Sequence, residues 1–306
     1  MVKYLLKRII LGVVTVFLLA TVTFVLAHAM PGNPFTSEKP IPPERMEMLL
    51  KRYGLDKPPL EQYWIFIKNL AHGQFGESIF YTGRTVESII MTRLPVSARL
   101  GIAAFGFSIV VGIAFGMAAA LSKRGWIKSA LMAFATLGVS VPGFLFALML
   151  MIIFGVELGI LPIMGLSTPW HYILPGLSLA LSPIASFTRM IRSSMTEVIK
   201  QDYMILARAK GLSMTSVYIR HGLKNALLPV ITMAGPMIAS FLMGSVVVEN
   251  LFSIPGIGSE FVSSINNRDY TLIMGLVVFL GAFLVVAILL TDILNALIDP
   301  RIRIQD

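Results

Sequence analysis

The chain has 306 residues, of which 56% are hydrophobic and 13% charged, with a formal net charge of +9 and no cysteine. Soluble domains carry about 25% charged residues, so the composition excludes an ordinary water-soluble domain and makes lipid the solvent for most of the chain. The lack of cysteine excludes disulfides and thiolate chemistry, and the distribution of the positive charge, below, excludes nucleic acid as its partner.

Six stretches contain no Asp, Glu, Lys or Arg: 9–37, 100–122, 129–156, 158–188, 225–248 and 270–291. A spanning helix needs about 20 mostly apolar residues, so each stretch can hold one. The spans are expected near 9–29, 98–121, 129–155, 171–193, 227–248 and 271–292. The expected fold class is all-α integral membrane, with six transmembrane helices and a small helical external segment between helices 1 and 2.

The first span begins after Lys3, Lys7 and Arg8 and ends near Ala27-His28-Ala29, a pattern shared with signal peptides. A cleavable apolar core is about 7–15 residues long. This one is longer, so residues 1–30 are expected to persist as an N-terminal transmembrane helix. Residues 31–96 form the expected external segment. Pro42-Pro43-Glu44 opens one helical pattern, with Met46, Leu49, Leu50 and Tyr53 on one face and Gly54 just past its end. Pro59 opens another, with Leu60, Tyr63, Trp64 and Ile67 at helical spacing. Two readings stay open for this segment: a cap lying on the outer face of the membrane, or a docking surface for an external partner.

Residues 97–300 form the expected five-helix core. Gly112 and Gly116 make a small-xxx-small pair in span two, which lets helices approach closely. The stretch 158–188 is too long for one span and contains Gly159, Pro162, Gly165 and Pro169. Its first half reads as a loop and its second as the helix, with Trp170 and Tyr172 where aromatic belts sit. Pro183 and Pro236 fall within spans four and five, and each removes a backbone hydrogen bond that neighbours must satisfy.

Basic residues cluster on one side. Lys123, Arg124 and Lys128 lie between spans two and three. Arg189, Arg192, Lys200, Arg208, Lys210, Arg220 and Lys224 lie between spans four and five, and Arg301 and Arg303 follow span six. The 3–4 loop has no Lys or Arg, and the 5–6 loop has only Arg268. Positive loops stay cytoplasmic, so both termini are expected inside. The basic residues of the 1–2 loop do not count against this, because long loops translocate largely regardless of charge.

The insert 195–224 carries a helical pattern over 195–210. Arg208 and Lys210 stand in its last turn, where cations favour the helix dipole, and Gly211 suits a left-handed cap. Ser213 suits the N-cap of a second helix through about Lys224, and Pro229 the first turn of span five. Ala207, Ala209 and Gly211 make the elbow between the two helices small. The residues alone fit two roles equally: a seat for a partner protein, or a basic helix on anionic headgroups.

Some chemistries are missing from the sequence. There is no Gly-x-x-x-x-Gly-Lys-Ser/Thr phosphate loop and no His-Glu-x-x-His. The four histidines (28, 72, 171 and 221) lack metal-ligand spacing. Glu157 and Asp292 stand at span ends and read as interfacial; a proton relay through Asp292 would call for further intramembrane acids.

The insert resembles the coupling loop of bacterial ABC importer permeases of the MetI-like, type I group, and in particular the peptide-transport branch, which carries Ala-Arg-Ala-Lys-Gly-Leu where this chain has residues 207–212. Other stretches agree in order along nearly the whole chain: Pro31-Gly32-Asn33-Pro34-Phe35, Tyr53-Gly54-Leu55-Asp56, Phe75-Gly76, Glu249, Pro255-Gly256-Ile257-Gly258, Arg268-Asp269-Tyr270 and Asp299-Pro300. The chain is most similar to the first permease subunit of oligopeptide importers. Where the wider group has Glu-Ala-Ala, it has Ile205, Leu206 and Ala207.

The resemblance implies a type I permease fold and a subunit of an ATP-driven oligopeptide importer in the bacterial inner membrane. The implied partners are a second homologous permease forming a heterodimer, two cytoplasmic ATPases and an external peptide-binding protein. ATP and Mg belong to the ATPases, so this chain is expected to be no enzyme and to carry no cofactor. Asp202, Ala207, Arg208, Ala209, Lys210 and Gly211 become the expected ATPase-coupling residues. Pro255, Gly256 and Gly258 suit a tight turn, expected either as an outer gate or as an ordinary surface turn. The nearest alternative is the same machine for dipeptides, glutathione, nickel chelates or sugars; the rival from another class is a stand-alone secondary transporter.

Overall fold

The computed structural model describes residues 2–30, 35 and 42–298. Pro31 to Pro34 and Asp299-Pro300, which carry part of the resemblance, lie outside the described residues. Those described form helices and loops, with one isolated bridge between Glu77 and Thr85 as the β-type pairing.

Helix α1 (Val2–Ala29) is followed by two short helices, α2 (Pro43–Tyr53) and α3 (Pro59–Ala71). Each short helix starts on a proline at its first turn, where the missing N–H would have had no partner. Gly54 ends α2 at φ +67°, and Leu55 N donates to Leu50 O, so a left-handed cap closes the helix as expected.

The 36-residue helix α4 (Val86–Leu121) starts on the Thr85 cap, whose side chain accepts from Ser88 N. At 1.5 Å per residue it is about 54 Å long, against a hydrocarbon core of about 30 Å. It therefore begins well before the expected start of span two, and the boundary expected at residue 96 falls inside it. Glu87, Arg93 and Arg99 hide this N-terminal extension from any search for apolar runs.

Helix α5 (Gly125–Ser140) and α6 (Gly143–Leu150), continued by a π-helical turn over Met151–Glu157, meet at 105°. Span three, expected near 129–155, is thus bent. The cause is Pro142, which lacks a backbone N–H and drives Val141 into extended backbone (φ −81°, ψ 123°). A loop follows, as Gly159, Pro162, Gly165 and Pro169 led one to expect.

Helix α7 (Ile173–Val198) is the centre of the fold, packing on α4, α5, α6 and α11 (Leu228–Leu242). Gly112 and Gly116 make the α4–α7 contact close. A Cβ on either would lie 2.6 Å from Phe187 Cβ or Ile191 Cβ respectively. Four described helices are long and apolar enough to cross a membrane, five if the bent pair is one span. The expected sixth, α7, falls outside that count because it is less apolar. It carries Ser178, Ser182, Ser186, Thr188 and Arg189, and buries Ser178 and Thr188 against protein rather than lipid. After α11 the chain breaks at Gly244 (φ +80°), then forms α12 (Val246–Leu251), α13 (Ile257–Asn266) and α14 (Tyr270–Ile298).

Candidate functional site: the elbow and the Pro255 turn

The elbow begins where α7 stops. The expected single helix over 195–210 is two helices. α7 runs on to Val198, the chain turns through extended Gln201 (φ −76°, ψ 147°), and α8 (Asp202–Ala209) follows. Gly211 then takes φ +78°, the left-handed conformation expected of it, and a Cβ there would meet nothing within 4 Å. Its glycine serves the backbone, not the space. Ser213 caps α9 (Met214–Ser216) by accepting from Ser216 N; a π-helical stretch Val217–Leu223 and α10 (Lys224–Ala226) then lead into α11, with Pro229 in its first turn.

Two sides of α8 do different work. Met204 and Ala207 face inward and pack with Val217, Val198 and Tyr218. Gly222 lets Met195 close on this cluster, since a Cβ there would lie 2.5 Å from Met195 Cε. Asn225 Nδ2 donates to Tyr203 Oη at 3.0 Å, and the Arg208 guanidinium lies 5.9 Å from the Tyr218 ring centre. The outer side shows Ile205 and Leu206, exposed at 58% and 56%, together with Leu212, Met214 and Ile219. Asp202, Arg208, Ala209, Lys210 and Gly211 are also exposed. A capped, internally packed elbow of this kind can carry a push on its outer side into α7 and α11.

At the other end, Glu249 of α12 is fully buried. Its carboxylate accepts from Ser97 Oγ at 2.7 Å and from Ser259 N at 3.1 Å, while Ser97 Oγ itself accepts from Ile257 N at 2.8 Å. Three segments, α4, α12 and the turn at 255–258, therefore close on one acid. Gly256 N donates to Ile254 O at 2.8 Å, so the turn about Pro255 is tight. Gly256 and Gly258 are buried and Pro255 is exposed. The glycines are needed for room: a Cβ at 258 would lie 2.7 Å from Val246 N, and one at 256 would strike the Glu249 carboxylate.

A family model described as "Binding-protein-dependent transport system inner membrane component" matches residues 112–304, and a companion N-terminal model matches residues 1–101. The chain belongs to this permease family. It is 43% identical to a dipeptide transport system permease protein of Lactococcus lactis subsp. cremoris, with 99% of this chain and 100% of the relative covered. It is 41% identical to an oligopeptide transport system permease protein of Haemophilus influenzae and 39% identical to one of Salmonella typhimurium, with the same coverage in both. The inward-facing MetNI methionine ABC transporter shares its fold, with a TM-score of 0.56 over 69% of this chain and 94% of that chain at 15% identity. An amino acid ABC transporter does so at TM-score 0.53 and 15% identity, covering 70% and 94%. The type I permease fold is thus shared.

Two features of the permease correct or extend the sequence reading. Ala207, expected at the point of closest approach to a partner, is 5% exposed and belongs to the elbow's own core, because the helical period turns it to the same side as Met204. Ser97 escaped the sequence reading altogether, since a serine near the start of an apolar run carries no signal of its own.

Three acids sit as ties between elements. Buried Asp269 caps α14 through Leu272 N at 3.0 Å and holds the segment before α4 through Ser78 Oγ at 2.5 Å and the Ile79 and Phe80 N–H groups at 3.1 Å each. Asp292 pairs with Arg8 at 3.1 Å, tying α14 to α1, which fits the interfacial reading of that residue. Arg93 and buried Glu260 form a further tie at 2.8 Å between α4 and α13.

Proposed function

We propose that this permease forms half of the membrane path of an ATP-driven peptide importer and transmits motor movement through its elbow. Oligopeptides are the cargo favoured here, with dipeptides the second reading, because the similar permeases from L. lactis and H. influenzae are named for these two cargoes. A second homologous permease completes a heterodimer. Two cytoplasmic ATPases bind ATP and Mg and carry out hydrolysis, and an external peptide-binding protein delivers the cargo. Both termini face the cytoplasm, and residues 31–96 face outward. The turn at Pro255, Gly256 and Gly258 helps close the path on the outer side.

The observation that carries this reading is the elbow. Its exposed side presents Ile205, Leu206, Leu212 and Met214 beside small Ala209 and Gly211, while Met204, Ala207 and Val217 lock it from within. A basic helix made only for headgroups does not need an internally locked elbow. Binding by the motor should therefore depend on shape more than on charge. In Gly211→Trp, the ATPases should fail to co-purify, or substrate-stimulated hydrolysis should fall, while the two permeases still pair. A variant neutralising Arg208, Lys210 and Lys224 together should retain coupling. The opposite ranking would move the elbow to the membrane surface. For topology, a thiol placed by Ser37→Cys should react with an impermeant reagent from outside, and one placed by Ser122→Cys should not.

A further inference from the structure

The external segment contains two helices with different surroundings. α2 exposes Met48 among charged neighbours: Glu47 pairs with Lys51 at 2.7 Å and Arg52 with Glu77 at 2.8 Å. It is anchored to the loop after α3, with Tyr53 Oη donating to Ser78 O at 3.3 Å. α3 instead lies on the flank of α1. Thr21 Oγ1 and Tyr63 Oη are 2.8 Å apart, His28 Nε2 and Gln62 Oε1 2.9 Å, and the Phe24 ring meets Tyr63 and Phe66 at 5.3 and 5.9 Å.

These contacts set a depth. Thr21 lies eight residues before Ala29, the end of α1, or about 12 Å along the helix at 1.5 Å per residue. The apolar part of α1, Leu6–Ala29, has 24 residues, about 36 Å, so it overshoots a hydrocarbon core of about 30 Å by only a few ångströms at each end. The α1 residues that hold α3 thus reach to the level of acyl chains. On the same outer turns of α1, Val22, Val25 and Leu26 are exposed, as lipid-facing residues would be. α3 also exposes two apolar residues one turn apart, Leu60 and Trp64, at 70% and 58%. Glu61 and Lys57 pair at 2.8 Å on its exposed surface, and Lys68 is exposed as well.

We propose that α3 is an interfacial membrane helix. One side clamps α1, and the Leu60–Trp64 strip enters the adjacent lipid leaflet, continuing the lipid-facing flank of α1. Tryptophan favours the headgroup boundary, and the charged residues of α3 can reach water from there. The external segment is then held by lipid at α3 and left free in water at α2. That this leaflet is the outer one rests on the proposed topology; the lipid contact does not.

The chain has no cysteine, so single spin labels report cleanly. Leu60→Cys, Trp64→Cys and Met48→Cys, each labelled with a nitroxide in the full chain in phosphatidylethanolamine–phosphatidylglycerol vesicles, are exposed to oxygen, which concentrates in lipid, and to a water-soluble nickel chelate. The oxygen-to-nickel collision ratio should be several-fold higher at positions 60 and 64 than at 48, and adding the external binding protein should leave it unchanged. Equal ratios at all three positions would overturn the proposal. So would loss of nickel access at 60 and 64 only after the binding protein is added, which would make the strip a docking surface. No motor or peptide takes part in the vesicle comparison, so its failure would leave the proposed transport function standing.

Discussion

The elbow and the Pro255 turn are both sharp changes of chain direction built with glycine, yet they are held by opposite means. The elbow is closed by apolar side chains, Met195, Met204, Ala207 and Val217, around a glycine that stands in open space. The Pro255 turn is closed by hydrogen bonds to one buried carboxylate and by glycines that have no space to spare. The first arrangement tolerates change on its exposed side without unfolding, which suits a surface that must engage and release a partner. The second has no tolerance: its polar groups are out of water, and each needs its particular partner.

The harshest test of this contrast is Glu249→Ala. Ser259 N and the Ser97 hydroxyl lose their acceptor, and each buried donor left unpaired costs about 1–3 kcal/mol. A large fall in the melting temperature of the purified permease is expected, with Glu249→Gln recovering much of it because an amide oxygen still accepts. Equal behaviour of the two variants would show that the carboxylate is not what holds the turn. Gly258→Ala comes next. Its Cβ meets the backbone at Val246 N, which no rotamer change can relieve, and overpacking of this kind costs about 1–3 kcal/mol.

At the elbow the effects are smaller. Gly211→Ala carries only the left-handed backbone penalty of about 1–2 kcal/mol, with no clash, so local hydrogen exchange in α8 should quicken while global stability changes little. If it uncouples hydrolysis as fully as Gly211→Trp does, backbone geometry and not bulk governs the motor contact. Leu206→Asp should change stability least, within about 0.5 kcal/mol as for other exposed sites, yet weaken ATPase co-purification. Unchanged co-purification would remove the apolar side of α8 from the motor contact.

Much of the elbow could be read in advance because its signals are local. The left-handed Gly211, the Ser213 cap and Pro229 in the first turn of α11 each follow from residues within a few positions. The break at 199–201 did not show, because no proline or glycine marks it; α7 continues out of its span and fixes where the turn must fall. The Pro255 turn was legible as a tight turn, with inward packing one of its two readings, but the groups that hold it were not. Its partner Ser97 stands 152 positions from Glu249, and no local pattern reports a contact at that distance.

The sequence by itself determined which stretches are apolar enough for lipid, where α2 begins and ends and α3 begins, and which glycines let α4 approach a neighbour. These depend on composition along a run, on backbone preference or on side-chain volume, and all three are properties of neighbouring residues. Only the tertiary structure decided that Ala207 turns inward, that Glu249 lies out of water, and that Asp269 ties the start of α14 to Ser78, 191 positions away. Burial and pairing belong to surfaces brought together by folding. The same alanine or carboxylate, set on a different face, would have stayed in water with no partner to hold.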